Sequence, residues 1–241
     1  NILNMLDLAG IPVKAADRRE TDPFIIAGGP CACNPEPIAD FIDLFVLGEG
    51  EEVTNELLDL YKNWKKSGES KAVFLKQAAQ IQGVYVPSLY HVFYRQDGLI
   101  EKIEPLYDAP AVVKKRIIQE MDNSFYPKEF IVPYIETVHD RAILEIMRGC
   151  IRGCRFCQAG FIYRPLREKS ADLLCSQGKD LCESTGYEEI SLSSLSTSDY
   201  SQLEPMLDEM LTYTEKNKIN MTLPSLRIDN FSEELLNKIK T

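Results

Sequence analysis

The first 86 residues combine short apolar runs with stretches whose apolar positions recur at helical spacing. The runs at 23–27 and 44–47 each end in a glycine-rich turn, which predicts two buried strands. Residues 53–66 repeat apolar side chains with a helical period behind a cluster of glutamates, so we predict an amphipathic helix there. Shorter elements are predicted at 1–10 (helix end), 73–81 (helix) and 83–87 (strand).

The pattern changes after residue 140. Apolar runs at 142–147, 189–193 and 219–223 predict three strands, and helical patterns at 169–185 and from 203 onward lie between them. A further helix is predicted to begin at Ser232 and to include Leu235, Leu236 and Ile239.

Repeated strand, turn and helix units predict an α/β fold. We expect residues 1–86 to form the C-terminal part of an open parallel Rossmann-like sheet. Residues 87–140 are predicted to be a proline-marked connector with a β-hairpin, and 141–241 a parallel βα layout whose loops meet at the strands' carboxyl ends. The chain starts without Met inside one apolar pattern and stops inside another, so we expect a fragment.

Composition narrows the class of protein. The 241 residues have a net charge of −10, 44% hydrophobic residues and a mean hydropathy of −0.20. No apolar run approaches the ~20 residues that span a bilayer and no signal segment is visible, so we expect a cytoplasmic protein without a membrane partner. The acidic balance argues against general nucleic-acid binding.

One stretch opposes that acidic balance. Residues 141–169 contain seven basic side chains and two acidic ones. A solvated basic face and a surface for an anionic substrate or cofactor both explain this pattern.

Three of the seven cysteines, Cys150, Cys154 and Cys157, stand at C-x3-C-x2-C spacing. Thiols this close can turn toward one metal centre, and with no fourth cysteine nearby a 4Fe–4S cluster would keep one iron open. Zinc normally takes four ligands, so a zinc-loop scaffold is one alternative, and a cluster carrier for electron transfer is another. Cys175 and Cys182 lie seven apart on an apolar helix face and are predicted to be buried thiols.

With Phe156 before the last cysteine, this motif resembles the C-x3-C-x-aromatic-C signature of radical S-adenosylmethionine (radical SAM) enzymes. The resemblance implies that the three cysteines hold a 4Fe–4S cluster whose open iron binds S-adenosylmethionine (SAM). It implies reductive cleavage of SAM to a 5′-deoxyadenosyl radical, which abstracts hydrogen from substrate, with a reductant such as flavodoxin or ferredoxin. Residues 141–241 would be the first half of a partial (β/α)6 barrel. Methyl transfer, methylthiolation of tRNA and ring chemistry stay open.

The same resemblance implies further contact residues. Ser193-Ser194-Leu195 stands where the family often has a Gly-Gly-Glu-like motif. The candidate SAM contacts are Phe156, Ser193, Ser194, Ser225 and Arg227.

The glycine turns of the first 66 residues resemble the strand ends of the cobalamin-binding-type domain that often precedes a radical SAM domain. The candidate cofactor contacts there are Gly28, Gly29, Gly48 and Glu49. The family's Asp-x-His-x-x-Gly motif is absent from the chain. Of the two histidines, His139 is favoured over His91 for a functional role because it lies close in sequence to the cysteines.

Overall fold

The computed structural model describes residues 1–135, 137–230, 236 and 238. The chain divides into two compact units, Asn1–Ile118 and Gln119–Thr241. Of the helix predicted from Ser232, Leu235 and Ile239 lie outside the described residues, whereas Leu236 is helical. Helices and strands occur in both units, so the α/β class is confirmed.

The first unit contains a three-stranded sheet in the order β1–β2–β3 and a separate hairpin, β4–β5. Its elements are α1 (Ile2–Leu8), β1 (Ile26–Ala27), β2 (Leu44–Val46), α2 (Gly50–Ser67), α3 (Lys71–Ala78), β3 (Val84–Tyr85), β4 (Tyr90–Tyr94) and β5 (Ile100–Pro105). The predicted helices and the hairpin are confirmed. The run at 23–27 forms a strand only over its last two residues.

The sheet of the first unit is mixed, which corrects the expectation of a parallel sheet. Strands β1 and β2 are parallel, whereas β3 runs antiparallel to β2. Two parallel strands are usually joined by one helix, which carries the chain back to the end of the sheet where the first strand began. Here two helices, α2 and α3, separate β2 from β3, so the chain re-enters the sheet in the opposite direction.

Helix α2 forms where charge and burial both favour it. Glu51 and Glu52 lie in its first turn, where the helix dipole stabilises negative charge. Val53 and Leu57 are buried on its inner face. Gly68 ends the helix in the left-handed conformation (φ 72°), which glycine adopts without steric cost.

The second unit contains a parallel three-stranded sheet in the order β10–β9–β6. Its elements are β6 (Ala142–Glu145), β7 (Met147–Arg148), α4 (Ala159–Ile162), β8 (Arg167–Glu168), α5 (Ala171–Thr185), β9 (Glu189–Ser193), α6 (Leu203–Asn217) and β10 (Asn220–Thr222). Short 3-10 helices lie at Thr197–Asp199 and Ile228–Asn230. The three predicted strands and the two helices between them are therefore confirmed.

The predicted strand at 142–147 divides at Ile146. Its N–H donates to the Ser193 carbonyl at 3.1 Å, and its carbonyl accepts the Lys169 N–H at 2.9 Å. Beyond this residue the chain leaves the parallel sheet, and β7 pairs with β8 in an antiparallel ribbon. Strand β7, with Met147 in the core and Arg148 half-buried, leads the chain from the core to the cysteines.

Apolar side chains of the central strand and the two long helices form the core of the second unit. Ile190 of β9, Leu174 and Leu181 of α5, and Met206 and Met210 of α6 are fully buried. None of the helices in the described part of the chain combines the length and apolar character needed to cross a membrane.

Candidate functional site

The cysteine loop, residues 150–157, begins directly after β7. Gly149 precedes it at φ 96°, and a Cβ there would lie 2.7 Å from the Pro165 carbonyl oxygen and 2.9 Å from Leu166 Cα. Glycine alone accepts both this backbone conformation and this close approach. The entry to the cysteine loop is therefore fixed by a residue without a side chain.

All three thiols are half-buried and face nitrogen donors. The Sγ atoms of Cys150 and Cys157 accept backbone N–H groups from two and three residues further along, at 3.5 and 3.4 Å. Nη1 of Arg227 lies 3.9 Å from the Sγ of Cys154. Donors of this kind stabilise anionic sulfur, and hydrogen bonds to sulfur are one factor that sets the potential of an iron–sulfur cluster.

The ligand type and spacing fit a cluster held by three cysteines, although the thiols are not gathered around one point. Within residues 1–135 and 137–230, no group of three or more His, Cys, Asp or Glu side chains is close enough to hold a metal ion. The loop backbone already forms a turn, since the Cys157 N–H donates to the Cys154 carbonyl at 3.0 Å. Holding a cluster would thus require side-chain rotation within a loop that is already folded.

Arg227, a candidate contact for a SAM carboxylate, binds Asp229 in this structure. Nε and Nη2 donate to the two oxygens of that carboxylate at 3.0 and 2.7 Å, while Nη1 faces Cys154. This fork geometry suits guanidinium and carboxylate groups. The Asp229 carboxylate raises the pKa of Arg227, and the Arg227 guanidinium holds the pKa of Asp229 below its ordinary value.

Asp199 connects the cysteine loop to the loops that follow β9 and β10. Both of its oxygens accept hydrogen bonds from Arg152 of the cysteine loop, the Nε bond being 2.7 Å long. Ser196 Oγ and Asn230 Nδ2 donate to the same carboxylate at 2.7 and 2.9 Å. The side chain of Asp199 is only 5% exposed, and hydrogen bonding from Arg152 is the largest cause that lowers its pKa.

The candidate serines lie in the same region of the second unit. Ser193 ends β9, and the Ser194 and Thr197 hydroxyls are 2.8 Å apart. Ser225 has φ 59° and its carbonyl accepts the Thr197 N–H at 3.1 Å. Phe156 is 92% exposed. The loops after β9 and β10 therefore contact each other, and Phe156 presents an open ring surface.

Sequence reasoning missed Asp199 and Asn230, because their partners come from loops far apart in sequence. The available signal was a single carboxylate at the end of a Ser/Thr-rich loop after β9, close behind the predicted serine contacts. An acidic residue in one loop can form an ion pair with a basic residue in the loop that follows a neighbouring strand, and such a pair connects the two loops.

In the first unit, Gly48 and Glu49 engage the segment 116–118. A Cβ on Gly48, which has φ 110°, would lie 2.1 Å from the Arg116 carbonyl oxygen. That carbonyl accepts the Glu49 N–H at 3.0 Å, and the Glu49 carboxylate accepts the Ile118 N–H at 2.6 Å. Gly29 has φ 92° and Gly28 packs near Val46. The close approach of the Arg116 backbone therefore explains why position 48 is a glycine.

The two histidines have ordinary contacts. His91 packs 4.5 Å from the Phe93 ring, and Nδ1 of His139 lies 2.7 Å from Nη2 of Arg141. Arg141 also forms an ion pair with Glu189 at 2.9 Å. Arg148 and Arg152, from the same basic stretch, pair with carboxylates as well. Several of the basic residues near the cysteines therefore neutralise acidic groups of their own unit.

Residues 1–87 match the family described as "Radical SAM proteins, N-terminal". An uncharacterized protein of Methanocaldococcus jannaschii is 25% identical over 236 residues, which cover 93% of this chain and 43% of that protein. The chain thus spans less than half the length of the curated relative that it matches. These similarities support a relationship with the radical SAM superfamily.

Proposed function

We propose that this chain is part of a radical SAM enzyme in which Cys150, Cys154 and Cys157 hold a 4Fe–4S cluster with one open iron. When bound, the cluster would supply one electron that cleaves SAM into methionine and a 5′-deoxyadenosyl radical. This radical would take a hydrogen atom from the substrate. Flavodoxin or ferredoxin is the expected class of electron donor. The substrate class stays open.

The proposal rests on one observation: the C-x3-C-x-aromatic-C loop follows the carboxyl end of β6, a strand of the parallel sheet, with only the short strand β7 between them. Ligands of α/β folds bind beyond the carboxyl ends of their strands. The family similarity is an independent support, because it covers residues 1–87 and not the cysteine loop.

The residues around the loop have defined parts in this proposal. Arg227, beside Cys154 and bound to Asp229, would exchange that carboxylate for the carboxylate of SAM. Exposed Phe156 offers a face for the adenine. Ser193 ends β9 and Ser194 follows it, and the two would supply hydroxyl and backbone groups to the amino end of SAM.

The finer fold assignments belong to the same proposal. We assign the three βα strands of the second unit to the first half of a partial (β/α)6 barrel, and the first unit to a Rossmann-like domain of the cobalamin-binding type. Cobalamin itself is left out of the proposal, because Gly48 and Glu49 are occupied by Arg116 and Ile118.

The test is anaerobic reconstitution with iron and sulfide, followed by EPR of the dithionite-reduced protein with and without SAM. We expect a 4Fe–4S signal that changes when SAM is added, together with release of 5′-deoxyadenosine.

The other outcomes separate the alternatives. A cluster signal that does not respond to SAM would favour an electron carrier. A colourless protein with bound zinc and no sulfide would reject the proposal in favour of a zinc-loop scaffold. In both cases the cysteine loop would keep a metal-binding role but lose the radical chemistry.

A further inference from the structure

The first unit contains a cavity of about 950 Å³ that is separate from the glycine turns. Its walls come from the residues before β1, the C-terminal half of α2 and the start of α3. Pockets of this size, mostly apolar with a few polar groups, are typical of small-molecule sites. We call it the Lys71 cavity.

An aromatic cluster forms the apolar wall of the Lys71 cavity. The Phe24 ring lies 5.3 Å from Trp64 and 4.6 Å from Phe74, and Tyr61 lies 5.5 Å from Trp64 (centroid distances). The rings pack against each other at tilted and edge-on angles, so they form a fixed surface. A flat apolar group of a ligand can pack on such a surface.

The polar feature of the cavity is the ammonium group of Lys71. Its Nζ is buried from solvent, and no hydrogen-bond partner for it exists among the described residues. The Phe24 ring, 4.8 Å away, attracts the charge through its π face but supplies no acceptor atom. A buried charged donor without an acceptor is costly and calls for an explanation such as an unseen ligand.

The carboxylates that line the cavity are those of Glu20, Asp22 and Glu69, and each already accepts a hydrogen bond from another group. Glu20 accepts the backbone N–H of Lys71 at 2.8 Å, and Asp22 accepts the backbone N–H of Arg19 at 2.7 Å. Asp22 also pairs with the Arg19 guanidinium at 3.5 Å. None of these carboxylates accepts a hydrogen bond from Lys71 Nζ, although the positive charge of Lys71 contributes to the lowered pKa of Asp22.

From these observations we infer that the Lys71 cavity binds a small ring-bearing carboxylate. The carboxylate accepts a hydrogen bond from Lys71 Nζ, and the ring packs on Phe24 and Trp64. The site lies wholly within the first unit and does not depend on the cysteine loop or on the radical SAM proposal.

Trp64 makes this inference testable without a label, because it is the single tryptophan of the chain and lines the cavity. The probes are 3-phenylpropanoate and its neutral analogue 3-phenylpropan-1-ol, which do not absorb at the red edge of the indole band. We expect a saturable change in Trp64 fluorescence with the carboxylate. The alcohol should bind about tenfold more weakly, as the loss of one charge-assisted hydrogen bond predicts.

A matched pair of variants assigns the charge recognition. Lys71→Met should bind the two probes equally, while Lys65→Met, which changes an exposed lysine of the same cavity, should keep the preference for the carboxylate. Circular dichroism establishes that both variants are folded. Equal binding of acid and alcohol by the unaltered protein, or no saturable change with either probe, would overturn the inference without any variant.

Discussion

Two regions of the second unit present cysteines, and their surroundings differ. In the cysteine loop, Cys150, Cys154 and Cys157 are half-buried and face N–H donors or a guanidinium. On α5, Cys175 and Cys182 are buried in the apolar core. The same thiol group is thus placed once among polar donors and once among hydrocarbon side chains.

This difference affects how easily the α5 thiols can ionise. Burial raises the pKa of Cys175 to about 11 and also raises that of Cys182, because an apolar environment disfavours the thiolate. A metal ligand must be a thiolate, so the α5 cysteines are poor ligands where they stand. Environment, more than spacing alone, distinguishes the two groups.

Removal of one cysteine of the loop should have the largest effect, which is a loss of bound iron and sulfide. Cys154→Ala should lose most of its iron and sulfide after reconstitution, because two thiolates hold a cluster poorly. The melting temperature of the apo protein should hardly change, since the side chain is only half-buried. Iron, sulfide and EPR measurements check the first expectation and thermal denaturation the second.

Cys33→Ala is the control, since it removes an exposed thiol from the first unit. It should keep the full content of iron and sulfide. Full retention by Cys154→Ala would remove that residue from the ligand set, and equal losses in both variants would mean that the iron is bound nonspecifically.

A Cβ at Gly149 should have the next largest effect. Gly149→Ala places a methyl group against backbone atoms at 2.7–2.9 Å in a positive-φ conformation, so we expect a loss of about 2–4 kcal/mol in unfolding free energy. At Gly153 (φ 63°) a Cβ meets only a side-chain atom, Nη2 of Arg164, at 3.0 Å. Gly153→Ala should therefore cost about 1 kcal/mol.

Urea unfolding of the two apo variants measures this difference. Reconstitution should follow the same order, with less cluster in Gly149→Ala than in Gly153→Ala. Similar stabilities for the two variants would show that the entry to the cysteine loop adapts, and would contradict its description as a fixed turn.

Much of the fold could be predicted because the hydrophobic pattern and the final packing agree. The period of α5, for example, follows directly from Leu174 and Leu181, which the structure buries. The direction of β3 could not be predicted, because it depends on how α2 and α3 turn the chain. The division of the strand at Ile146 could not be predicted from the hydrophobic pattern either, because Ile146 and Met147 are as apolar as the residues before them.

The candidate site was predicted only in part, for a related reason. Cysteine spacing is local and visible, whereas the Arg152–Asp199–Asn230 connection joins three loops distant in sequence. The Arg227–Asp229 pair is local, but no pattern indicated that it would lie beside Cys154. Long-range polar contacts depend on tertiary geometry, which a hydrophobic pattern does not encode.

Alkylation rates offer a smaller but direct comparison of the two groups of cysteines. In the folded apo protein at neutral pH, iodoacetamide should modify the cysteines of the loop well before Cys175 and Cys182. The Cys175 thiolate fraction should rise about tenfold for each pH unit up to its pKa of about 11, and its labelling should follow. Peptide mass spectrometry over time checks this order. Early labelling of Cys175 at neutral pH would show that α5 opens.

The smallest effect concerns the Asp199 connection. Asp199→Asn keeps the shape but loses the charge that binds Arg152, so the melting temperature should fall by a few degrees at neutral pH. The folded-state pKa of Asp199 is lowered, so its stabilising effect is full above the unfolded value of about 3.9 and is lost as pH falls through the folded pKa. The difference between the two proteins should therefore close in acid.

Glu209→Gln is the matched control, because Glu209 pairs with Lys179 at an exposed position. Exposed pairs contribute little, so its melting temperature should stay near that of the unaltered protein at every pH. A loss in Glu209→Gln as large as in Asp199→Asn would attribute the effect to total charge. A loss in Asp199→Asn that persists below the folded pKa would attribute it to packing. Only a pH-dependent loss confined to Asp199→Asn supports a charged connection between the cysteine loop and its neighbours.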